Sequence, residues 1–295
     1  MRFVKSIRGG GNVAAKLVIA EHAGACYGVE RALKLARRAG EAAAAPVHTL
    51  GPLIHNPLVV RDLEAAGVEL AETLDDAREG TLIIRTHGVV PEVIEEARGR
   101  GLEVLDATCP YVKKVHEAAA KLVAEGYQLL VIGEAGHPEV EGILGHAGPG
   151  AQVVSGAEEL DRIKLGSKVG VVVQTTQTAA RLAEVTAALV GRVRELRIVN
   201  TICKATGERQ RAAAELAAVS DCMVVVGGKN SGNTRRLAEI CSSICDRTHH
   251  IESEQELEDA WFTGARTIGI TAGASTPQAH IDRVRACIEE LVDAS

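Results

Sequence analysis

Cys26, Cys109 and Cys203 each follow a short apolar run and precede a stretch of helical periodicity. The runs are Leu17-Val18-Ile19-Ala20, Glu103-Val104-Leu105 and Leu196-Arg197-Ile198-Val199. Pro110 suits the first position of a helix, and the helical pattern continues from Val112 to Glu125. A thiol at such a βα turn is placed to ligate or react rather than to fill a core. The three are separated by 83 and 94 residues. Three thiolates without an obvious fourth suit a metal centre with one open position: a 4Fe-4S cube that keeps one iron for water or substrate, or a zinc ion. Structural zinc usually draws its ligands in local pairs, whereas these are scattered one per third of the chain, which favours the cluster. Cys222 in an apolar strand and Cys287 in the last helix read as core. Cys241 and Cys245, four apart on a helix, share a face but lack a neighbouring ligand motif.

Polar residues repeat in step with the cysteines. A first polar loop lies 29, 28 and 28 residues beyond each, at His55, His137 and Ser231. A second polar strand end lies 61, 66 and 72 residues beyond, at His87, Thr175 and Ser275. The clearest strands are Val47–Leu50, Thr81–Arg85, Tyr127–Ile132, Lys168–Val173, Cys222–Val226 and Thr267–Ile270, separated by helical patterns. Apolar runs alternating with helices define an α/β protein with mainly parallel sheets, and the spacing makes it three pseudo-repeats. Ligands of such sheets gather beyond the carboxyl ends of the strands, where all nine positions fall. The expected divisions are a flexible tail over residues 1–16 and α/β domains over 17–109, 110–202 and 203–295.

The donors suit a small anionic ligand. His55, His87, His137, Thr175, Ser231, Asn233 and Ser275 offer hydrogen bonds without a dense Lys or Arg cluster, and loops that open helices hold phosphate through backbone N–H groups. Ser231 and Asn233 read equally well as caps of the helix that follows. Lys229 lacks the spacing of a Walker loop. Glu139, two residues past His137, is the only carboxylate among the matched loop positions; it reads as a proton donor or as a first-turn acid facing the helix dipole.

Composition narrows the classes. Six aromatics and a net charge of −6 exclude a base-stacking or non-specific nucleic-acid surface. The first sixteen residues contain no apolar run long enough for a signal peptide or a membrane span. Seven cysteines without an export signal point to reduced thiols, so the expected location is the cytoplasm, with no membrane partner.

The motifs HAGACYGV, HNPLVV, THGV, DATCPYVKKVH, GHPEVEG, QTTQT, ICKATGERQ, KNSGNTRRL and TAGAS resemble those of the 4-hydroxy-3-methylbut-2-enyl diphosphate reductases, from about Leu17 to the C-terminus. The resemblance implies a trefoil of three α/β domains around one 4Fe-4S cluster held by Cys26, Cys109 and Cys203. It implies that His55, His87, His137, Ser231, Asn233 and Ser275 hold the diphosphate of an allylic substrate. Glu139, working with Thr175, would supply the proton. Electrons would enter singly from ferredoxin or flavodoxin, water would leave, and isopentenyl and dimethylallyl diphosphates would form.

Three positions depart from the family's usual pattern. Gly232 stands where a second serine is common, Ala25 where an aromatic often precedes the first cysteine, and Val173 where threonine is frequent. None removes an implied ligand. The alternatives are a non-catalytic iron–sulfur sensor, which has no need of a proton donor at Glu139, and a hydro-lyase with an open iron, which consumes no reductant.

Overall fold

The computed structural model describes residues 2–8 and 14–294. The chain begins with β1 (Arg2–Arg8) and β2 (Ala14–Ile19), paired antiparallel. Eleven further strands follow among the described residues: β3 (Val47–Leu50), β4 (Val68–Ala71), β5 (Thr81–Ile84), β6 (Glu103–Asp106), β7 (Gln128–Ile132), β8 (Gln152–Val154), β9 (Lys168–Val173), β10 (Glu195–Ile198), β11 (Cys222–Val226), β12 (Thr248–Ile251) and β13 (Thr267–Ala272). The α-helices are α1 (Tyr27–Ala42), α2 (Pro57–Ala65), α3 (Pro91–Gly99), α4 (Pro110–Ala124), α5 (Pro138–Ala147), α6 (Ala179–Leu189), α7 (Lys204–Ala217), α8 (Gly232–Ser242) and α9 (Gln278–Ala294).

The three expected repeats are three parallel sheets with one strand order. The first is β4-β3-β5-β6, the second β8-β7-β9-β10, and the third β12-β11-β13-β2, to which β1 adds antiparallel. The third sheet therefore takes its fourth strand from the beginning of the chain, with Leu17 opposite Ile268. This corrects the first boundary. The strand before Cys26 completes the third sheet, just as those before Cys109 and Cys203 complete the first and second. The segment expected to be a flexible tail also differs: residues 2–8 are a strand, β2 begins at Ala14, and residues 1 and 9–13 lie outside the described ones.

Two compact units result where three domains were expected. The larger spans 27–54 and 58–203 and holds the first two sheets; the smaller comprises 1–26, 55–57 and 204–295. In the larger unit, alternate residues of β9 face opposite layers. Val169, Val171 and Val173 pack on Leu182, Val185 and Leu189 of α6, while Val172 faces Val115, Ala119 and Leu122 of α4 and Val140 and Ile143 of α5. Helices on both faces explain why these strands read as unbroken apolar runs. Truncating the fully buried Ile143 to alanine removes the anchor of α5 at a cost of about 2–5 kcal/mol.

The smaller unit repeats the scheme. Cys222, Val224 and Val226 face Ile281, Val284 and Ile288 of α9. Met223 and Val225 face α7 and α8, where Cys241 and Cys245 join the same core. Burial pushes the Cys222 thiol up to about 11 and that of Cys241 to about 12. Cys222 is a core cysteine, as its strand implied, and Cys241 and Cys245 are buried with it; Cys287, also read as core, is only half-buried.

Candidate functional site

Each first-loop residue stands five positions past the end of its strand: His55 after β3, His137 after β7 and Ser231 after β11. His137 and Ser231 are N-caps of α5 and α8, where they accept the N–H of Glu139 at 3.1 Å and of Thr234 at 3.4 Å. The three cysteines each immediately precede a helix, α1, α4 and α7. Their N–H groups are anchored alike, Cys26 to Ala274 O at 3.2 Å, Cys109 to Thr86 O at 3.0 Å and Cys203 to Thr175 O at 3.1 Å. By this pattern Thr175 corresponds to Thr86 and Ala274. The counterpart of His87 and Ser275 is Thr176, which adds a candidate that residue counting passed over.

In the larger unit, Glu139 is 2% exposed and both its oxygens are held by one residue. The Thr175 N–H donates to Oε1 at 2.6 Å and the Thr175 hydroxyl to Oε2 at 2.8 Å. Burial raises the carboxyl to about 7, while the two Thr175 bonds pull the other way without cancelling it. A carboxyl poised near neutrality both holds and releases a proton at working pH. The His87 and His137 rings meet edge to face, 5.6 Å between centroids. His137, Glu139, Thr175 and His87 are thus one cluster, with the backbones of Cys109 and Cys203 tied to the ends of β5 and β9.

Behind this cluster lies His116, a residue given no role by its sequence context. It is buried, stacks on His146 at 4.0 Å, and lies so close to Gly88 and Gly142 that a Cβ there would come within 2.8 and 3.1 Å of its ring. Gly88 adjoins His87, and Gly142 is one turn past Glu139. Burial, reinforced by His146, lowers His116 to about 4, so it is neutral.

In the smaller unit, Asn233 is buried in the first turn of α8, and neither its amide nitrogen nor its oxygen has a hydrogen-bond partner. A buried, unsatisfied amide costs about 1–3 kcal/mol, so its retention at a helix N-terminus points to a ligand. Segment 55–57 belongs to this unit. The Asn56 amide donates to Ser275 O at 2.9 Å, and the Ser275 hydroxyl donates to His55 O at 3.2 Å. A Cβ on Gly228 would sit 2.5 Å from His55 O, so only glycine allows this approach. Arg209 is buried and its Nη2 donates to Gly24 O at 2.7 Å, which holds the loop two residues before Cys26. Neither Asn56 nor Arg209 had been singled out; a buried arginine on a charged helix face leaves no mark in periodicity.

Cys26, Cys109 and Cys203 are half-buried and in no disulfide, each immediately before a helix. Among the described residues no three His, Cys, Asp or Glu side chains surround a single-ion position. In a cube each thiolate binds a different iron, so the donors need not share one point, and three thiols in matched settings fit that group.

A buried carboxyl clasped by a threonine among histidines in the larger unit, and a buried unsatisfied amide in the first turn of α8 in the smaller, mark an α/β protein with polar groups gathered beyond its strand ends. The sequence profile described as LytB protein matches residues 17–289, and the chain belongs to that family. The 4-hydroxy-3-methylbut-2-enyl diphosphate reductase of Pelobacter propionicus is 48% identical over 276 residues, 94% of this chain and 98% of its own. The protein of the same name from Geobacter metallireducens is 46% identical over 279 residues, 95% and 99% of the two chains. A solved structure of (E)-4-hydroxy-3-methyl-but-2-enyl diphosphate reductase, described as the terminal enzyme of the non-mevalonate pathway, superposes with a TM-score of 0.70 at 45% identity, covering 93% and 99%. The E-1-hydroxy-2-methyl-but-2-enyl-4-diphosphate reductase from Plasmodium falciparum superposes with 0.87 at 26% identity, covering 92% and 86%.

Proposed function

We propose that this chain is a 4-hydroxy-3-methylbut-2-enyl diphosphate reductase. It removes the allylic hydroxyl as water and forms isopentenyl and dimethylallyl diphosphates. In balance, R–OH takes two electrons and two protons to give R–H and water. The observation that carries this reading is Glu139, buried, raised to about 7, and held through both oxygens by Thr175.

Cys26, Cys109 and Cys203 are the ligands of one 4Fe-4S cluster, an assignment supported by their matched settings. When bound, the cluster supplies electrons one at a time together with an open iron. Ferredoxin or flavodoxin is the source of those electrons. His55, His87, His137, Ser231, Asn233 and Ser275 hold the diphosphate; Asn233 donates to it from its amide nitrogen, which has no hydrogen-bond partner in the protein. Thr176 joins them through its place in the repeat.

Glu139 gives its proton to the departing hydroxyl oxygen. Thr175 keeps the carboxyl oriented; when the carboxyl is protonated the bond to the Thr175 hydroxyl reverses, and that hydroxyl accepts from Glu139 and passes its own proton to the leaving group. Seven cysteines and no disulfide among them suit a reducing compartment, the cytoplasm. No described helix is long and apolar enough to cross a membrane.

The deciding experiment is anaerobic turnover of the diphosphate substrate with dithionite-reduced methyl viologen, wild type against Glu139→Gln at matched iron content. Loss of about 10²–10⁴ in rate is expected for removal of a general acid. A rate within about threefold of wild type would overturn the assignment.

A further inference from the structure

Helix α1 turns a row of cations toward an open groove of about 770 Å³. Tyr27, Arg31, Lys34 and Arg38 succeed one another at helical spacing along one face, and Leu35 and Leu105 supply apolar floor. Tyr27 is 66% exposed, and Lys34 and Arg38 are exposed as well. Among the described residues Glu30 is the only acid that lines the groove. The chain as a whole carries −6, so this surface has the opposite sign to the molecule around it.

The groove wall is fastened to the turn that bears Cys109. Arg31 Nη1 donates to Thr108 O at 3.4 Å and Nη2 to Asp106 O at 3.3 Å, so one guanidinium bridges the groove and the residues leading to that thiol. At its other end the groove starts at Tyr27, covalently joined to Cys26.

We propose that this groove is where a one-electron carrier protein with an acidic face docks. The proposal rests on the reductase reading, and it places electron entry on the wall next to Cys109. An acidic carrier meets complementary charge there on a chain whose net charge is negative, which favours the encounter and orients the docked partner. An exposed tyrosine beside apolar floor gives the docked partner a contact to bury. Each turnover then oxidises two reduced carriers by one electron each, matching the two electrons that convert R–OH and two protons to R–H and water. Nucleic acid is disfavoured: three cations and one tyrosine make neither a phosphate track nor a stacking platform.

The test uses reconstituted holoenzyme with Lys34→Glu and Arg38→Glu, singly and combined; glutamate is about as helix-favouring as the residues it replaces. A strongly acidic flavodoxin serves as carrier. Its dissociation constant is measured by fluorescence anisotropy at low and high salt, alongside turnover driven by the reduced carrier and by methyl viologen. The double variant is expected to bind about tenfold or more weakly at low salt, as loss of steering charges predicts, with a flatter salt dependence and a parallel fall in kcat/KM for the carrier. Its viologen-driven rate should match wild type. An unchanged dissociation constant overturns the docking assignment, as does an equal loss of viologen-driven rate. So does weakened binding of a single-stranded DNA oligomer with carrier turnover intact. If the wild-type holoenzyme does not reduce the substrate with viologen, the reductase reading itself falls. If it does and the carrier ignores the groove, only the docking proposal falls.

Discussion

Thr175 holds Glu139 by both oxygens, backbone N–H on Oε1 and hydroxyl on Oε2, while its own carbonyl accepts the N–H of Cys203. One residue thereby sets the carboxyl and the cysteine-bearing turn in register. A shift of the β9 end moves both together.

Glu139 leaves a mark on stability as well as on rate. Its folded pKa, about 7, lies above the ordinary 4.5, so the folded state binds the extra proton between those values and stability falls as pH rises through that window. The full shift corresponds to about 3 kcal/mol. Urea midpoints from pH 4.5 to 7.5 should fall for wild type and lose most of that slope in Glu139→Gln. Parallel curves would show that the carboxyl is not raised.

Thr175→Val removes the hydroxyl that stabilises the ionised carboxyl. Glu139 should then titrate higher, shifting the alkaline limb of the pH–rate profile upward while turnover falls. Thr175→Ser should restore both. A valine variant with an unshifted profile would separate the hydroxyl from the carboxyl.

Asn233→Ala discards an unsatisfied buried amide, so the fold should lose little or gain stability. Diphosphate affinity should fall about ten- to a hundredfold, the range of a hydrogen bond to a charged group. Calorimetric titration with inorganic diphosphate alongside a thermal melt reads both. Unchanged affinity would remove Asn233 from the anion site.

Serine in place of Cys26, Cys109 or Cys203 should abolish cluster absorbance after anaerobic reconstitution, whereas Cys241→Ser should keep it. The buried Cys241 thiol, pushed up to about 12, should also resist alkylation at pH 8 in the folded protein. Full cluster occupancy in Cys203→Ser would break the ligand set.

His116 gives an acid-side counterpart. Its folded pKa, about 4, lies below the ordinary 6.5, so its contribution is intact above 6.5 and is lost as pH falls toward 4. His116→Asn should flatten the decline of stability in that window. The same decline in wild type and variant would assign it to other groups.

What the sequence disclosed follows from what each signal measures. Lys168–Val173 was legible to the residue because a strand buried on both faces is apolar throughout. β4, β8 and β12 were missed together: they are short edge strands, Val68–Ala71, Gln152–Val154 and Thr248–Ile251, with half-exposed residues and no apolar run. The cysteine turns were legible because a thiol between a strand and a helix is rare. The pairing of β2 with β13 was not, since parallel partners leave no local trace and these lie about 250 residues apart. Glu139 was visible as a carboxylate in a polar loop, but its burial and its clasp by Thr175 depend on a strand 36 residues further on.

The union of β2 with β13 also sets an order of events in the cell. β2 is made about 250 residues before its parallel neighbour β13, which also joins it to β11, so it waits for that partner while the intervening chain is synthesised. Until then β1 covers one edge of Lys16–Ile19, and the edge that will face β13 presents unpaired backbone to whatever chains are nearby. Contacts of such separation form slowly and leave nascent chains open to misassembly. Fusing a bulky, fast-folding module directly to the N-terminus should therefore lower the yield of soluble protein more than the same fusion at the C-terminus.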